Sequence, residues 1–251
     1  MNQLNKVAPI TLLFWLMKIV ATTLGETLGD FISQTMNYGY VVGILITLAL
    51  FCTVLFFQLR ADRYTPYKYW LVIIGTTTLG TEISDFMDRT LNFGYLWGSL
   101  VLVFGLLITL SLWFKKYKSI EVFPIFERSK EFYFWVAVLF SNSLGTAFGD
   151  FLSDNIGLSY VHGALVTGLI IFVVVHLHYF TKINHVLLFW IAFIFTRPFG
   201  ATFGDFLTKP SAKGGLDLGT LNASMASIAL IILMIFFEHR NYQKSKSAIS
   251  D

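Results

Sequence analysis

The chain has 251 residues, of which 55% are hydrophobic and only 13% charged, with a formal net charge of +3. A soluble domain carries nearer a quarter of charged residues, so this composition excludes an ordinary soluble globular protein and points to a chain solvated by lipid. The single cysteine, Cys52, excludes a disulfide framework and a cysteine-based metal site.

The first apolar run covers residues 8–33. Lys6 precedes it, but its middle reads Ala21-Thr22-Thr23-Leu24-Gly25 and then Glu26, a poor cleavage site, so it reads as a retained transmembrane helix and not a signal peptide. Further apolar runs follow at 38–59, 67–90 and 94–114, then a charged linker from about Lys115 to Glu131, then runs at 131–155, 159–180, 184–208 and 217–238. Each is close to the ~20 residues that a helix needs to cross a bilayer. The expected fold is an all-α membrane protein of eight transmembrane helices in one domain, 1–251.

The chain repeats itself four times. Trp15 precedes Asp30 by fifteen residues, and the same interval separates Trp70 from Asp85, Trp135 from Asp150, and Trp190 from Asp205. Each aspartate ends a glycine-rich segment, such as Leu24-Gly25-Glu26-Thr27-Leu28-Gly29-Asp30-Phe31 or Leu144-Gly145-Thr146-Ala147-Phe148-Gly149-Asp150-Phe151, and a polar turn leads to a second helix. The repeats are 8–60, 65–115, 130–181 and 183–240. Residues 30 and 85 recur 120 later at 150 and 205, which marks a duplicated four-helix half, 1–118 and 128–240. An even number of helices per repeat makes the repeats parallel, with pseudo-symmetry about the membrane normal.

Basic residues crowd one set of connections (Lys6, Arg60, Arg63, Lys68, Lys115, Lys116, Lys118, Arg128, Lys130, Lys182, Arg240, Lys244 and Lys246), whereas the opposite turns hold only Arg89, Lys209 and Lys213. The positive-inside rule then puts both termini in the cytoplasm and the four aspartates near the outer ends of their helices. Tryptophans and tyrosines near helix ends are expected in the interfacial belt.

Counting back from each aspartate, the positions eight, seven, four and three earlier share its helical face. That face supplies Thr22, Thr23, Glu26 and Thr27, then Thr77, Thr78, Thr81 and Glu82, then Asn142, Ser143 and Thr146, and finally Arg197 and Thr202. The threonines, Asn142 and Ser143 are expected to line a polar path, with Glu26, Asp30, Glu82, Asp85, Asp150 and Asp205 binding an ion or proton. Glu26, Asp30, Glu82 and Asp85 are the candidate metal ligands. Intramembrane carboxylates face a bundle interior or water because lipid exposure is costly. Lys18 and Arg197 are expected to compensate these charges or to compete with a bound cation for them. Glycines one and five residues before each aspartate make a small-residue ridge for close helix packing, with Ser84 replacing one of them. His162, at the start of the sixth helix, reads as an interfacial histidine or a proton carrier.

Two transmembrane segments, one tryptophan and a Gly-Asp-Phe motif in each of four units resemble a family of bacterial membrane proteins defined by a tandem repeat of unknown function. The resemblance covers nearly the whole chain and implies its architecture and an inner-membrane location, with no activity attached. Phosphate loops, nucleophile elbows and zinc helix motifs are missing from the sequence, so neither an enzyme nor a cofactor is expected, and no nucleic acid partner. The residues themselves point to proton-coupled transport of a small cation, the carboxylates serving as binding or proton-relay groups, with hard ions such as Mn²⁺ or Mg²⁺ matching an all-oxygen donor set. A passive channel with an aspartate ring and a non-transporting scaffold or sensor are the competing expectations.

Overall fold

The computed structural model describes the backbone of residues 4–250 and the side chains of 4–243, so the side chains of Lys244 and Lys246 lie outside the described residues. The helices are α1 (Leu12–Asp30), α2 (Gly39–Leu59), α3 (Pro66–Asp85), α4 (Gly94–Tyr117), α5 (Arg128–Asp150), α6 (Tyr160–Phe180), α7 (His185–Thr208) and α8 (Thr220–Ser250), with no strand among the described residues. Helices satisfy their own backbone polar groups, which lipid cannot do for them. Starts follow local chemistry: Thr11 Oγ1 accepts from Phe14 N at 3.2 Å, Pro66 opens α3, and Asn184 Oδ1 accepts from Val186 N at 2.8 Å.

A one-turn π segment follows the repeat aspartate directly in three copies: Phe31–Thr35, Phe86–Thr90 and Phe151–Asn155. The fourth copy lacks it and has instead a longer turn containing a short 3₁₀ segment, Ser211–Lys213. Gly39 and Gly94 then reverse the chain at φ of 74° and 71°, a left-handed conformation that a side chain would strain.

Four inner helices close a ring, in which α1 packs on α3 and α7 while α5 packs on the same two. Each outer helix covers the inner helix of the next repeat: α2 on α3, α4 on α5, α6 on α7, and α8 back on α1. The glycine ridge sets the spacing. A Cβ at Gly25 would meet Thr77, at Gly80 Asn142 and Ser143, at Gly145 Arg197 and Pro198, and at Gly200 Thr22. One turn later Gly29 meets Thr81, Gly149 meets Ala201 and Gly204 meets Glu26. Both contacts advance together along the two chains, so neighbouring inner helices run in the same direction.

Seven helices are long and apolar enough to cross a membrane, as in a multi-pass membrane protein. The eighth, α3, falls short of the expected apolarity because it carries Thr76, Thr77, Thr78, Thr81, Glu82 and Asp85, all buried between its neighbours. On the outside, Leu45, Leu50, Trp97, Phe104, Leu165, Phe172 and Ile232 are exposed, the surface that lipid would solvate.

Three expectations are corrected here. The repeat tryptophans are not a belt: Trp70, Trp135 and Trp190 are buried and Trp15 partly so. Their indoles serve the core, with Trp70 Nε1 donating to Glu238 Oε2 at 2.6 Å and Trp190 Nε1 to Ile120 O at 3.2 Å. Lys6 is no free surface charge, since it is buried in an ion pair with Glu131, to which Gln58 also donates at 2.7 Å. The linker is shorter and better packed than its charge suggests: residues 118–127 connect α4 to α5, and Ile125 is buried and accepts from Lys6 N at 2.8 Å.

Candidate functional site

Stepping along the inner helices four residues at a time gives five buried layers down the centre of the ring. The repeat aspartates Asp30, Asp85, Asp150 and Asp205 form the first. Beneath them come Glu26, Thr81, Thr146 and Ala201, then Thr22, Thr77, Asn142 and Arg197, then Lys18, Ile73, Val138 and Phe193, and last Phe14, Tyr69, Phe134 and Phe189. Residues four apart stack on one helical face, so a single register error would scatter this column.

Two contacts run across the ring and prove that the layers share a centre. Lys18 Nζ of α1 donates to Asn142 Oδ1 of α5 at 2.8 Å. Arg197 of α7 donates to Thr81 Oγ1 of α3, and also pairs with Glu26 Oε2 at 3.0 Å. Asn142 Nδ2 donates in turn to Thr76 Oγ1 at 3.0 Å. The bottom layer is purely aromatic: Phe14 lies 6.3 Å from Phe189 and Tyr69 6.4 Å from Phe134, ring centre to ring centre. Within the central column, the charged and amide side chains therefore give way to aromatic rings below Lys18.

The aspartate layer is clamped in pairs. Arg89 reaches Asp85 at 3.5 Å and Asp150 at 3.6 Å, while Lys209 reaches Asp30 at 2.6 Å and Asp205 at 3.2 Å. Each cation lies four residues after its own aspartate, and the two are 120 residues apart, the period of the duplicated half. Burial works against the charge of Lys209, but Asp205 and then Asp30 outweigh it and hold the ammonium well above the ordinary lysine range. Sequence reasoning counted Arg89 and Lys209 only as outer-turn charges; their shared offset from the repeat aspartate was the signal that would have found them.

Glu26, Asp30 and Asp205 each bring an oxygen within 4.8 Å of the other two, all buried, between Lys209 and Arg197. Such an arrangement of oxygen donors can hold a hard cation once the ammonium moves. The expected metal set of Glu26, Asp30, Glu82 and Asp85 is thus corrected. Asp85 belongs to the Arg89 clamp, and Glu82 turns outward against Gly43 of α2. Arg197 pairs with Glu26 at 3.0 Å. Lys18 does not pair with a carboxylate: it bonds Asn142 and lies 4.1 Å from the centre of the Phe193 ring.

The polar stripe also divides. Thr22, Thr77, Thr81, Asn142 and Thr146 stand in the central layers. Thr23, Thr78 and Ser143 are one residue out of that register, about 100° around the helix, and lie at the contacts between inner helices, where Ser143 meets Gly80. Thr27 and Thr202 face outer helices: Ser224 Oγ of α8 donates to Thr27 at 2.9 Å, and Thr202 lies beside Gly163 of α6. His162 is exposed, with its ring nitrogen 2.7 Å from Ser159 Oγ at the start of α6. Arg89, Lys209 and Arg197 are each paired with these buried carboxylates.

No curated protein and no solved structure matches the chain. A family model does, at residues 13–64, 68–119, 133–184 and 188–243, which are the four two-helix units. The chain therefore belongs to the family of the Repeat of Unknown Function (DUF347), of which it carries four tandem copies.

Proposed function

We propose that the protein is a proton-coupled transporter of a small cation, with Glu26, Asp30 and Asp205 as its cation site. The carrying observation is the convergence of these three buried carboxylates between two basic side chains that a cation would have to displace. A hard divalent ion such as Mn²⁺ or Mg²⁺ suits the oxygen donors. Parallel inner helices in a closed ring support a pseudo-rotation about the membrane normal, and the distribution of Lys and Arg supports cytoplasmic termini in a bacterial inner membrane.

The mechanism follows from competition. Lys209 bridges Asp30 and Asp205 and offsets part of their charge while the site holds no cation, and Arg197 pairs with Glu26 from below. An arriving divalent cation takes over the carboxylate oxygens, releases the singly charged Lys209 and so adds one net positive charge to the column, which links binding to movement of the clamp. The aromatic layer of Phe14, Tyr69, Phe134 and Phe189 closes the opposite end, which favours a carrier over a passive channel with one continuous wet path.

Purified protein in liposomes, given a panel of Mn²⁺, Mg²⁺, Na⁺ and K⁺ with internal ion and pH followed together, tests this reading. Saturable flux driven by a pH gradient is expected, falling at least about tenfold in Glu26→Gln or Asp205→Asn, the loss of one charged ligand. Flux that neither saturates nor follows the pH gradient would instead mark a channel. Folded variants with unchanged flux would overturn the site, and a folded parent with no flux would leave the aspartates as scaffold.

A further inference from the structure

Glu82 stands outside the central column. It occupies the position three residues before the repeat aspartate, where the other copies have Thr27, Ala147 and Thr202. Those neutral side chains suit a contact with an outer helix. In the second copy the same contact receives a carboxyl group: a Cβ on Gly43 of α2 would fall 2.5 to 2.7 Å from three of its atoms. Glu82 is 1% exposed, and neither carboxyl oxygen has a hydrogen-bond partner among the described residues.

Among the described residues, no cation stands ready to compensate it. The titratable residues of α2 are Tyr40 and Cys52. From α1 the nearby ionisable groups are the acids Glu26 and Asp30, and on its own helix Asp85 and, in the π segment, Asp88. The basic groups of this region are taken: Arg197 by Glu26, Arg89 by Asp85 together with Asp150 of α5, and Lys209 by Asp30 and Asp205. Of the remaining partner of α3, the helix α8, the acid Glu238 is held by Tyr64 and Trp70 at the far end. An ionised carboxylate without a bond or a counter-charge in such a place is strongly disfavoured, and the neutral acid is the form the surroundings accept.

We propose that Glu82 is a proton-binding site, filled while the cation site is empty and emptied when a cation settles on Glu26, Asp30 and Asp205. The inference rests on the transporter reading and deepens it. The proton and the cation do not compete for the same oxygens; they are linked through the field across the α1–α3 interface, in which a new positive charge beside α1 lowers the cost of the carboxylate on α3. The step is a simple dissociation, with the O–H bond of the acid broken, its electron pair left on the carboxylate and the proton passed to water.

Two measurements on the purified full-length protein decide it. Infrared spectroscopy of the cation-free protein should show a carbonyl stretch of a protonated carboxylic acid that vanishes in Glu82→Gln, and addition of Mn²⁺ should bleach it in the parent. Calorimetry of Mn²⁺ binding should show affinity that rises with pH in the parent by about tenfold, with about one proton released per ion. Glu82→Gln, a fixed neutral mimic, should keep the low-pH affinity of the parent at every pH and release about one proton fewer. Glu82→Thr, the residue used by two other copies, guards against a folding effect of the glutamine and should give the same flat profile. An acid band that survives in Glu82→Gln, or unchanged proton release in both variants, overturns the proposal. A folded parent that binds none of the ions overturns the transporter reading and the coupling with it, while the band still reads the proton on Glu82 by itself.

Discussion

Arg197 and Glu26 are the pair on which the column depends at the scale of single side chains. Both are buried, the guanidinium also donates to Thr81, and among the described residues no other cation pairs with Glu26. Removing one partner of a buried pair leaves an uncompensated charge, which costs about 3–5 kcal/mol, whereas replacing both by neutral groups of similar volume is far cheaper. Arg197→Met should therefore lower the thermal unfolding temperature in detergent sharply, and the double variant Arg197→Met with Glu26→Gln should recover most of the loss. Additive losses in the double variant would mean that the pair is not coupled. The presence of these charges was legible in the sequence because a carboxylate or guanidinium inside an apolar run is conspicuous. Their partners were not. Glu26 and Glu82 are one residue apart in repeat register, four and three before the aspartate, and about 100° of helical rotation separates a place on the central axis from a place against an outer helix.

At the level of helices, the ridge of small residues was readable from spacing, and so was its consequence of close approach. Which helix meets which was beyond the reach of the sequence, because four near-identical ridges allow several cyclic orders and only the packed ring fixes one. α3 allows a clean comparison. A Cβ on Gly80 would lie 3.0 Å from Ser143 N and 3.2 Å from Asn142 C, backbone atoms of α5 that cannot move independently of that helix. A Cβ on Gly75 would meet Phe51 Cα at 3.5 Å, an ordinary contact. Gly80→Ala should cost about 1–3 kcal/mol through overpacking. Gly75→Ala should be neutral or gain up to about 1 kcal/mol from helix propensity. Thermal unfolding of the two variants side by side checks this, and equal behaviour would rule out the α3–α5 contact as the tight one.

For the molecule as a whole, the 120-residue duplication turns from a sequence pattern into a device: Arg89 clamps Asp85 to Asp150, and Lys209 clamps Asp205 to Asp30, so each half of the chain is tied to the other at the aspartate end. The halves are unequal, since Arg89 has 37% of its side chain exposed and Lys209 only 23%, and only the Lys209 side adds Glu26 to its aspartates. Lys209→Gln should expose the consequence. Without the ammonium, Asp30, Asp205 and Glu26 repel one another with only Arg197 left beside them, so the cation-free variant should unfold at a lower temperature than the parent. Because the ammonium of Lys209 is held above the ordinary lysine value of about 10.4, its contribution is present in full below that pH and fades only as the pH rises through the folded-state value. The gap between parent and variant should therefore persist, from the lysine side, across the neutral range and up to pH of about 10. A cation that binds the folded form stabilises it by mass action. In the variant it no longer has to displace a tethered competitor, so Mn²⁺ should raise the unfolding temperature of Lys209→Gln by more than it raises that of the parent. An equal or smaller rise would place the bound ion away from Asp30 and Asp205.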